Sequence, residues 1–351
     1  MKSLLNFFEQ EKIEAFGLDV GSAAVKLVKM AERPDGKYVA TGIACEQIAK
    51  APENSTGDNA KNTVAAIERC VKKSSFNHEY VVCAVRGPEV AVRSFSFPKM
   101  PLEEIGKAVL LEAEQVCPFD ISQSVLDYNL TDSGNGKIHG VFVAATADVV
   151  TKRSQLIRKA SLSPLLMDAE TLAILNCFNY CKMADNQQTY GILNMGSKFV
   201  NLIICSKDTP PFVRDLQYSG NDMINWFADS NKITPEKAYS AIFGLPDSGF
   251  EQSNVSGGLN MSCRNMVNDV AETLRYYATN NNGRQVERIF VCGGFACAAN
   301  IISLLKGNLY CDVLSWNPFD KIEIDPSLNR EDVVKNGPSM AIAAGLAMRR
   351  V

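Results

Sequence analysis

Three apolar runs separated by turn residues open the patterned part of the chain: Phe16–Val20, Val25–Met30 and a third ending near Ile48. They predict a three-stranded meander. Ala51–Asn62 reads as a polar loop, since Pro52, Asn54, Gly57 and Asp58 break any period. Helical spacing then predicts a helix over Thr63–Ser74, followed by a strand over Tyr80–Val85. From about Gly87 to Pro164 the pattern becomes an inserted α/β series. Strand Val90–Phe97 stops at Pro98. A helix near Glu103–Val116 places Ile105, Ala108, Val109, Ala113 and Val116 on one face. Strand Val125–Leu130, a turn over Thr131–Lys137, strand His139–Ala145 and a helix from about Asp148 to Ala160 complete the series. Another helix begins near Glu170.

The second half restarts the pattern. Tyr190 to about Tyr218 predicts a second meander, and a mainly helical region follows. There Val267, Val270, Ala271, Leu274, Tyr277 and Ala278 form one apolar stripe, while Gly249–Leu259 reads as a loop. Arg288–Phe295 is a strand ending in Gly293-Gly294, with a helix over Ala296–Leu305 behind it. Ser339–Arg349 is a helix of small residues suited to close packing. The repetition reaches single residues. Leu18, Gly21, Ser22, Val25 and Leu27 fall in register with Leu193, Gly196, Ser197, Val200 and Leu202. From position 21 to position 196 the offset is 175, half of the 351 residues. Two homologous halves follow, each opening with strand, turn and strand.

Composition removes several function classes. A net charge of −3 gives no basic excess for nucleic acid. The 11 cysteines are scattered, several in apolar runs (Cys83, Cys205, Cys292), with no C-x-x-C, which fits buried thiols in a reducing compartment. The two histidines, His78 and His139, lie near no nucleophile or metal cluster, so a Ser-His-Asp hydrolase or a zinc enzyme has little support. No run approaches the ~20 apolar residues of a membrane span. The N-terminal MKSLLNFFEQEK is too short and polar for a signal peptide. It reads as a docked or frayed helix, with a membrane-surface role for Leu4, Leu5, Phe7 and Phe8 as the alternative.

The duplicated turn carries the candidate chemistry. As a hairpin turn, Gly21-Ser22 is ordinary. As a phosphate loop, Gly21 lets backbone N–H groups approach an anion, Ser22 adds a hydroxyl and Lys26 a positive charge. Asp19 then stands where a magnesium ion or its waters need a carboxylate. A second turn, Asn194-Met195-Gly196-Ser197, would grip the same polyphosphate from the other side. Gly293-Gly294 lets a flat or charged ligand lie against the backbone, although close strand–helix packing explains it equally. G-x-x-x-x-G-K-[ST] and G-x-G-x-x-G are both missing, which disfavours P-loop and dinucleotide folds.

These three elements resemble the phosphate-1, phosphate-2 and adenosine motifs of the actin/heat-shock-chaperone ATPase superfamily. Further blocks narrow the resemblance: Ala84–Ile105, Leu111–Leu130, Met167–Asn176, Val286–Ala296 and Asn317–Pro326. They are similar to the PilM family of type IV pilus assembly proteins, itself similar to FtsA. The resemblance implies an actin-like, ribonuclease H-like duplicated two-lobed α/β fold with an FtsA/PilM-type inserted subdomain. Its expected division is a first lobe over 1–186 with the insert at about 87–164, and a second lobe over 187–338 with a helical subdomain at about 219–283. Residues 339–351 return as a helix to the first lobe.

The resemblance also implies ATP and Mg2+ as ligands, held by Asp19, Gly21, Ser22, Lys26, Asn194, Gly196, Ser197, Gly293 and Gly294. Asp19 would meet the metal through water, and Asp168 would order the attacking water, unless it only caps the helix behind it. Family members usually carry Asp where this chain has Asn194, so weak or absent hydrolysis is expected. The implied role is a cytoplasmic scaffold at the inner face of the inner membrane. It would bind the tail of a PilN-like protein through Phe119 and Tyr128, near a groove between insert and first lobe. Ile121 and Val125 lie in the same stretch, Val125 as core. Other pilus assembly proteins and self-association stay open as partners, and membrane contact is indirect. The alternatives are an FtsA-like division ATPase, which would end in an amphipathic membrane helix, or another active ATPase or kinase of the superfamily.

Overall fold

The computed structural model describes residues 15–50, 56–74, 79–131, 136–183, 188–207, 209–246 and 249–350. The reading of the N-terminal Leu4–Phe8 segment lies outside them. The first meander is β1 (Phe16–Val20), β2 (Ala24–Glu32) and β3 (Tyr38–Gln47). Helix α1 (Thr56–Lys73) starts seven residues earlier than its apolar spacing indicated. Its first turns are polar and so carry no period that a sequence reading can detect. After β4 (Tyr80–Val85) come the insert's β5 (Val90–Pro98), α2 (Leu102–Val116), β6 (Ser124–Thr131) and β7 (Lys137–Thr146). Then α3 (Ala147–Lys159), β8 (Ser163–Ala169) and α4 (Glu170–Cys181) return to the first lobe.

The second lobe begins with β9 (Tyr190–Met195), β10 (Val200–Ser206) and β11 (Thr209–Leu216). Helices α5 (Gly220–Asn231), α6 (Pro235–Ile242) and α7 (Gln252–Asn280) follow. The expected loop over Gly249–Leu259 is mostly the start of α7, where Val255 and Leu259 are fully buried. A Cβ at Gly258 would lie 2.6 Å from the Phe227 ring, so this glycine lets two helices approach rather than breaking one. The chain continues through β12 (Arg288–Cys292), α8 (Ile301–Asn308), β13 (Asp312–Ser315), β14 (Glu323–Ile324), α9 (Arg330–Asn336) and α10 (Ala341–Ala347). The single helix expected over Ala296–Leu305 is a 3-10 turn at Gly294–Cys297 and then α8, separated by Asn300 in the left-handed region.

Two sheets define the lobes. One has the order β14-β3-β2-β1-β4-β8 and the other β11-β10-β9-β12-β13. Each is built on an antiparallel meander extended by parallel strands. The insert is a separate sheet, β5-β7-β6, over its own core of Phe95, Ile105, Val109, Ile121 and Phe142. Helix α3, read from sequence as part of the insert, packs Ile157 into the first lobe's core with Phe16, Leu18 and Ile67. The largest core joins the inner faces of both sheets through α4 and the C-terminal segment. In it Phe178 meets Phe290 and Trp316 edge-on, at 4.9 and 5.0 Å between centroids.

The returning helix is seated by glycines. A Cβ at Gly17 of β1 would lie 2.0 Å from the Ala343 carbonyl, and one at Gly345 of α10 would lie 1.8 Å from the Ala173 carbonyl. Backbone therefore meets backbone across these contacts. The return starts before residue 339, because β14 already pairs with β3.

Candidate functional site

Both duplicated turns close in the same way. The N–H of Gly21 donates to Ala24 O at 3.0 Å, and that of Gly196 to Phe199 O at 2.9 Å. A Cβ at Gly21 or Gly196 would sit 2.4 or 2.7 Å from the same carbonyl, so each turn needs its glycine for its own geometry. The turn tips meet across the cleft, with Ser22 Oγ and Ser197 Oγ 2.7 Å apart. An anion held by both tips must take the place of that hydrogen bond.

The residues behind the tips differ between the halves. Asp19 stands opposite Lys26 in the β1–β2 register, and Asn194 opposite Asn201 in β9–β10. Lys26 Nζ lies 3.0 Å from Asp19 Oδ2. Burial opposes the Asp19 charge, but Lys26, Arg86 and Arg153 outweigh it and hold the carboxyl below its ordinary range. Burial likewise opposes the Lys26 charge, yet Asp19 raises its pKa. Arg86 and Arg153 both donate to the Val20 carbonyl, at 3.2 and 3.0 Å. Three cations thus surround the first turn, and two buried carboxylates, Asp19 and Glu170, offset part of their charge.

The second turn is tied to the first lobe by a residue that the sequence reading did not select. Glu170, at the start of α4, accepts from Asn194 Nδ2 at 2.6 Å through Oε1, and its Oε2 lies 3.4 Å from Arg86. The only local signal was an acidic residue opening a helix directly after a strand, in the Met167–Asn176 block. Asp168, the expected water-ordering residue, faces elsewhere. Its Oδ1 accepts from the Ala169 N–H at 2.8 Å, and Arg349 Nε lies 3.1 Å from its Oδ2 without hydrogen-bond alignment. Burial raises the Asp168 pKa against the pull of Arg349. Helix α4 does begin at Glu170, with Ala169 rather than Asp168 in the cap position.

The two glycines after β12 have different surroundings. Gly293 has φ +94°, its N–H donates to Pro338 O at 2.8 Å, and a Cβ there would lie 2.5 Å from Asn194 Oδ1. Close packing accounts for it. A Cβ at Gly294 would meet nothing within 4 Å, so this backbone faces open space. Lys50 Nζ, just past β3, reaches Glu236 of α6 at 2.7 Å and links the lobes at the surface.

Phe119 and Tyr128 belong to the insert. Phe119 is half-buried against the insert core, and Tyr128 lies on β6, one of the sheet's two outer strands, edge-on to Phe95. Neither lines the interlobe cavity of about 370 Å3, whose walls include Arg86, Val92, Glu170, Phe199, Asn201 and Val213. Val125, expected as core, is 53% exposed, because side chains alternate along β6 and it is Leu126 that packs on the insert core. Leu102 and Leu111 of α2 are also exposed, at 77% and 58%. Among the described residues no acidic, histidine and cysteine cluster forms a metal site, and no helix is long and apolar enough to cross a membrane.

Residues 17–351 match a family described as type IV pilus assembly protein PilM. A solved structure described as the PilM-PilN type IV pilus biogenesis complex is similar, with TM-score 0.82 and 24% identity over 96% of this chain and 98% of that one. More distant folds are the ethanolamine utilization protein EutJ from Carboxydothermus hydrogenoformans and a nucleotide-free diol dehydratase-reactivating factor. The first has TM-score 0.50 and 11% identity over 96% and 89% of the two chains, and the second 0.53 and 8% over 94% and 98%. The fold is the two-lobed actin-like one.

Proposed function

Because the chain belongs to the PilM family of type IV pilus assembly proteins, we propose that it is a nucleotide-dependent cytoplasmic scaffold. It binds ATP between its lobes and the cytoplasmic tail of a PilN-like inner-membrane protein on its insert. The observation that carries the ATP reading is the meeting of Ser22 and Ser197 at the tips of two equivalent hairpins. Lys26, Arg86 and Arg153 supply positive charge beside them, and Gly294 leaves open backbone for the nucleoside.

These residues fit the nucleotide. Lys26 would hold the phosphates, and the ionised Asp19 would accept from a water of the magnesium ion, which needs few protein ligands. When bound, Mg-ATP supplies a polyphosphate that both turns grip, and a hydrolysable bond. Turnover is slow, because neither Asp19 nor Glu170, the buried carboxylates beside the first turn, is free to take a proton from water. Asp19 would be engaged by the magnesium ion's water, and Glu170 is held by Asn194.

The docking reading rests on the insert's exposed apolar residues, Leu102, Leu111, Val125 and Tyr128, beside an outer strand with a free backbone edge. Two titrations test the function. Calorimetry with Mg-ATP should show binding that Gly21→Val and Lys26→Ala weaken, and equal binding by all three proteins would sink the cleft assignment. A labelled peptide from the tail of the same organism's PilN should bind. Tyr128→Ala or Phe119→Ala should cost roughly 2 kcal/mol or more if that residue is a hot spot. Unchanged affinity in both folded variants moves the dock elsewhere.

A further inference from the structure

We infer that Arg86 couples the phosphate turns to the insert, so that a polyphosphate in the cleft changes the insert's affinity for its peptide. The inference rests on the two binding readings above and assigns their regulation to one side chain. Arg86 occupies the link between β4 and β5, where the chain leaves the first lobe for the insert. Its guanidinium donates to the Val20 carbonyl just before the first turn, at 3.2 Å. It lies 3.4 Å from Glu170, whose other oxygen holds Asn194 just before the second turn. It also stands 6.0 Å from the ring centroid of Phe199, whose carbonyl closes the second turn.

The next residue carries the connection onward. Gly87 has φ +102°, a Cβ there would lie 3.2 Å from Phe199 Cζ, and its carbonyl accepts from the Val90 N–H at 3.0 Å. The first strand of the insert therefore hangs from backbone packed directly on the second hairpin. The cavity of about 370 Å3 lies beneath this link and gives the insert room to move against the second lobe. Two buried polar atoms on its wall, Thr171 Oγ1 and Asn201 Oδ1, have no protein hydrogen-bond partner among the described residues, and the cavity has room for water beside them.

An anion reaching the turns replaces the Ser22–Ser197 bond and draws the guanidinium toward itself. That weakens the hold of Arg86 on Val20 and Glu170, and residues 86–87 carry the change into β5. Coupling of this kind is reciprocal.

The test measures the Kd of the labelled tail peptide with and without saturating Mg-ATP, and that of ATP with and without peptide. In the natural protein the two factors should be equal and about fivefold or more. Arg86→Gln removes a cation beside the phosphates and should weaken ATP binding, but at saturating ATP both factors should fall to about one, and Arg86→Lys should lie between, since it keeps charge but loses the fork. Equal coupling in Arg86→Gln and the natural protein overturns the inference, as does no coupling in the natural protein. Amide exchange of β5 gives a readout that needs no peptide. Mg-ATP should change its protection in the natural protein and not in Arg86→Gln. A peptide that fails to bind defeats only the docking reading, and an exchange response that survives Arg86→Gln defeats only the coupling. Failure of ATP to bind defeats both. If Arg86→Gln does not fold, Glu170→Gln, which weakens the same guanidinium's ion pair, should lower the coupling factor, and an unchanged factor overturns the inference.

Discussion

Replacing Asn194 by Asp puts a second carboxylate against Glu170. The amide now donates to Glu170 Oε1 at 2.6 Å, and both side chains are buried. After substitution that donor is gone. Two negative charges at this separation repel by about 6 kcal/mol at an effective dielectric near 20. The pair avoids this by keeping one shared proton, as carboxyl dyads do. Holding a proton at pH 7 on a group that ordinarily titrates near 4 costs about 4 kcal/mol, at about 1.4 kcal/mol per unit. The new O–H···O bond and Arg86 offset part of this, so the expected loss is about 2–4 kcal/mol.

The sign follows from proton counting. The folded variant keeps a proton that its unfolded chain sheds above about pH 4, so its stability falls as pH rises. The penalty should be small near pH 4.5, grow through neutrality and level off above the raised pKa. Urea unfolding of both proteins across about pH 4.5–8, each compared with the natural chain at the same pH, measures it. Millimolar Mg2+ at about pH 7.5 should recover part of the loss, because the two carboxylates can share a cation. A penalty independent of pH, or none at pH 8, would refute the reasoning.

Further expectations concern the same elements. Lys26→Met leaves Asp19 buried without its closest partner and should cost about 3–5 kcal/mol at neutral pH. The Asp19 contribution, present above the unfolded carboxyl pKa and lost as pH falls through the depressed folded value, should shrink in that variant's acid unfolding curve. Gly345→Ala drives a methyl into the Ala173 carbonyl and should lower stability by about 3 kcal/mol or prevent folding, read by circular dichroism and urea. Phosphate release with ATP should stay near background for the natural protein. Robust turnover abolished by Asp168→Ala, with Glu170→Gln still active, would show that the assignment of roles around α4 is wrong.

The hairpins were legible because strand, glycine turn and strand leave a local signature, and the signature occurs twice. The Asp19–Lys26 pair was partly legible, since strands joined by so short a turn bring those positions opposite each other. The Glu170–Asn194 bond was not, because it joins a helix start to a strand of the other lobe, and only the packed lobes make them neighbours. Secondary structure failed where polarity hid a helix, as at the start of α1. It also failed where glycine served packing, as at Gly258, although Val255 and Leu259, one turn apart, were a signal available in the sequence. The placement of α3 was misread because sequence order located it beside the insert, while Ile157 packs under β1.

The seating of α10 on β1 sets an order of events during synthesis. Gly17 and Ala343 touch in the finished protein but lie 326 positions apart in the chain. At roughly 5–20 residues per second the ribosome needs on the order of 15–65 s to travel between them. Through that interval β1, β2 and β4 lack the helix that covers their inner face, and β3 lacks β14 at its outer edge. The N-terminal lobe therefore finishes folding last, after the C-terminal lobe has its own sheet. A nascent chain stalled before α10 presents a bare apolar sheet to chaperones and to other nascent chains, and moving the α10 sequence ahead of β1 would shorten that exposure.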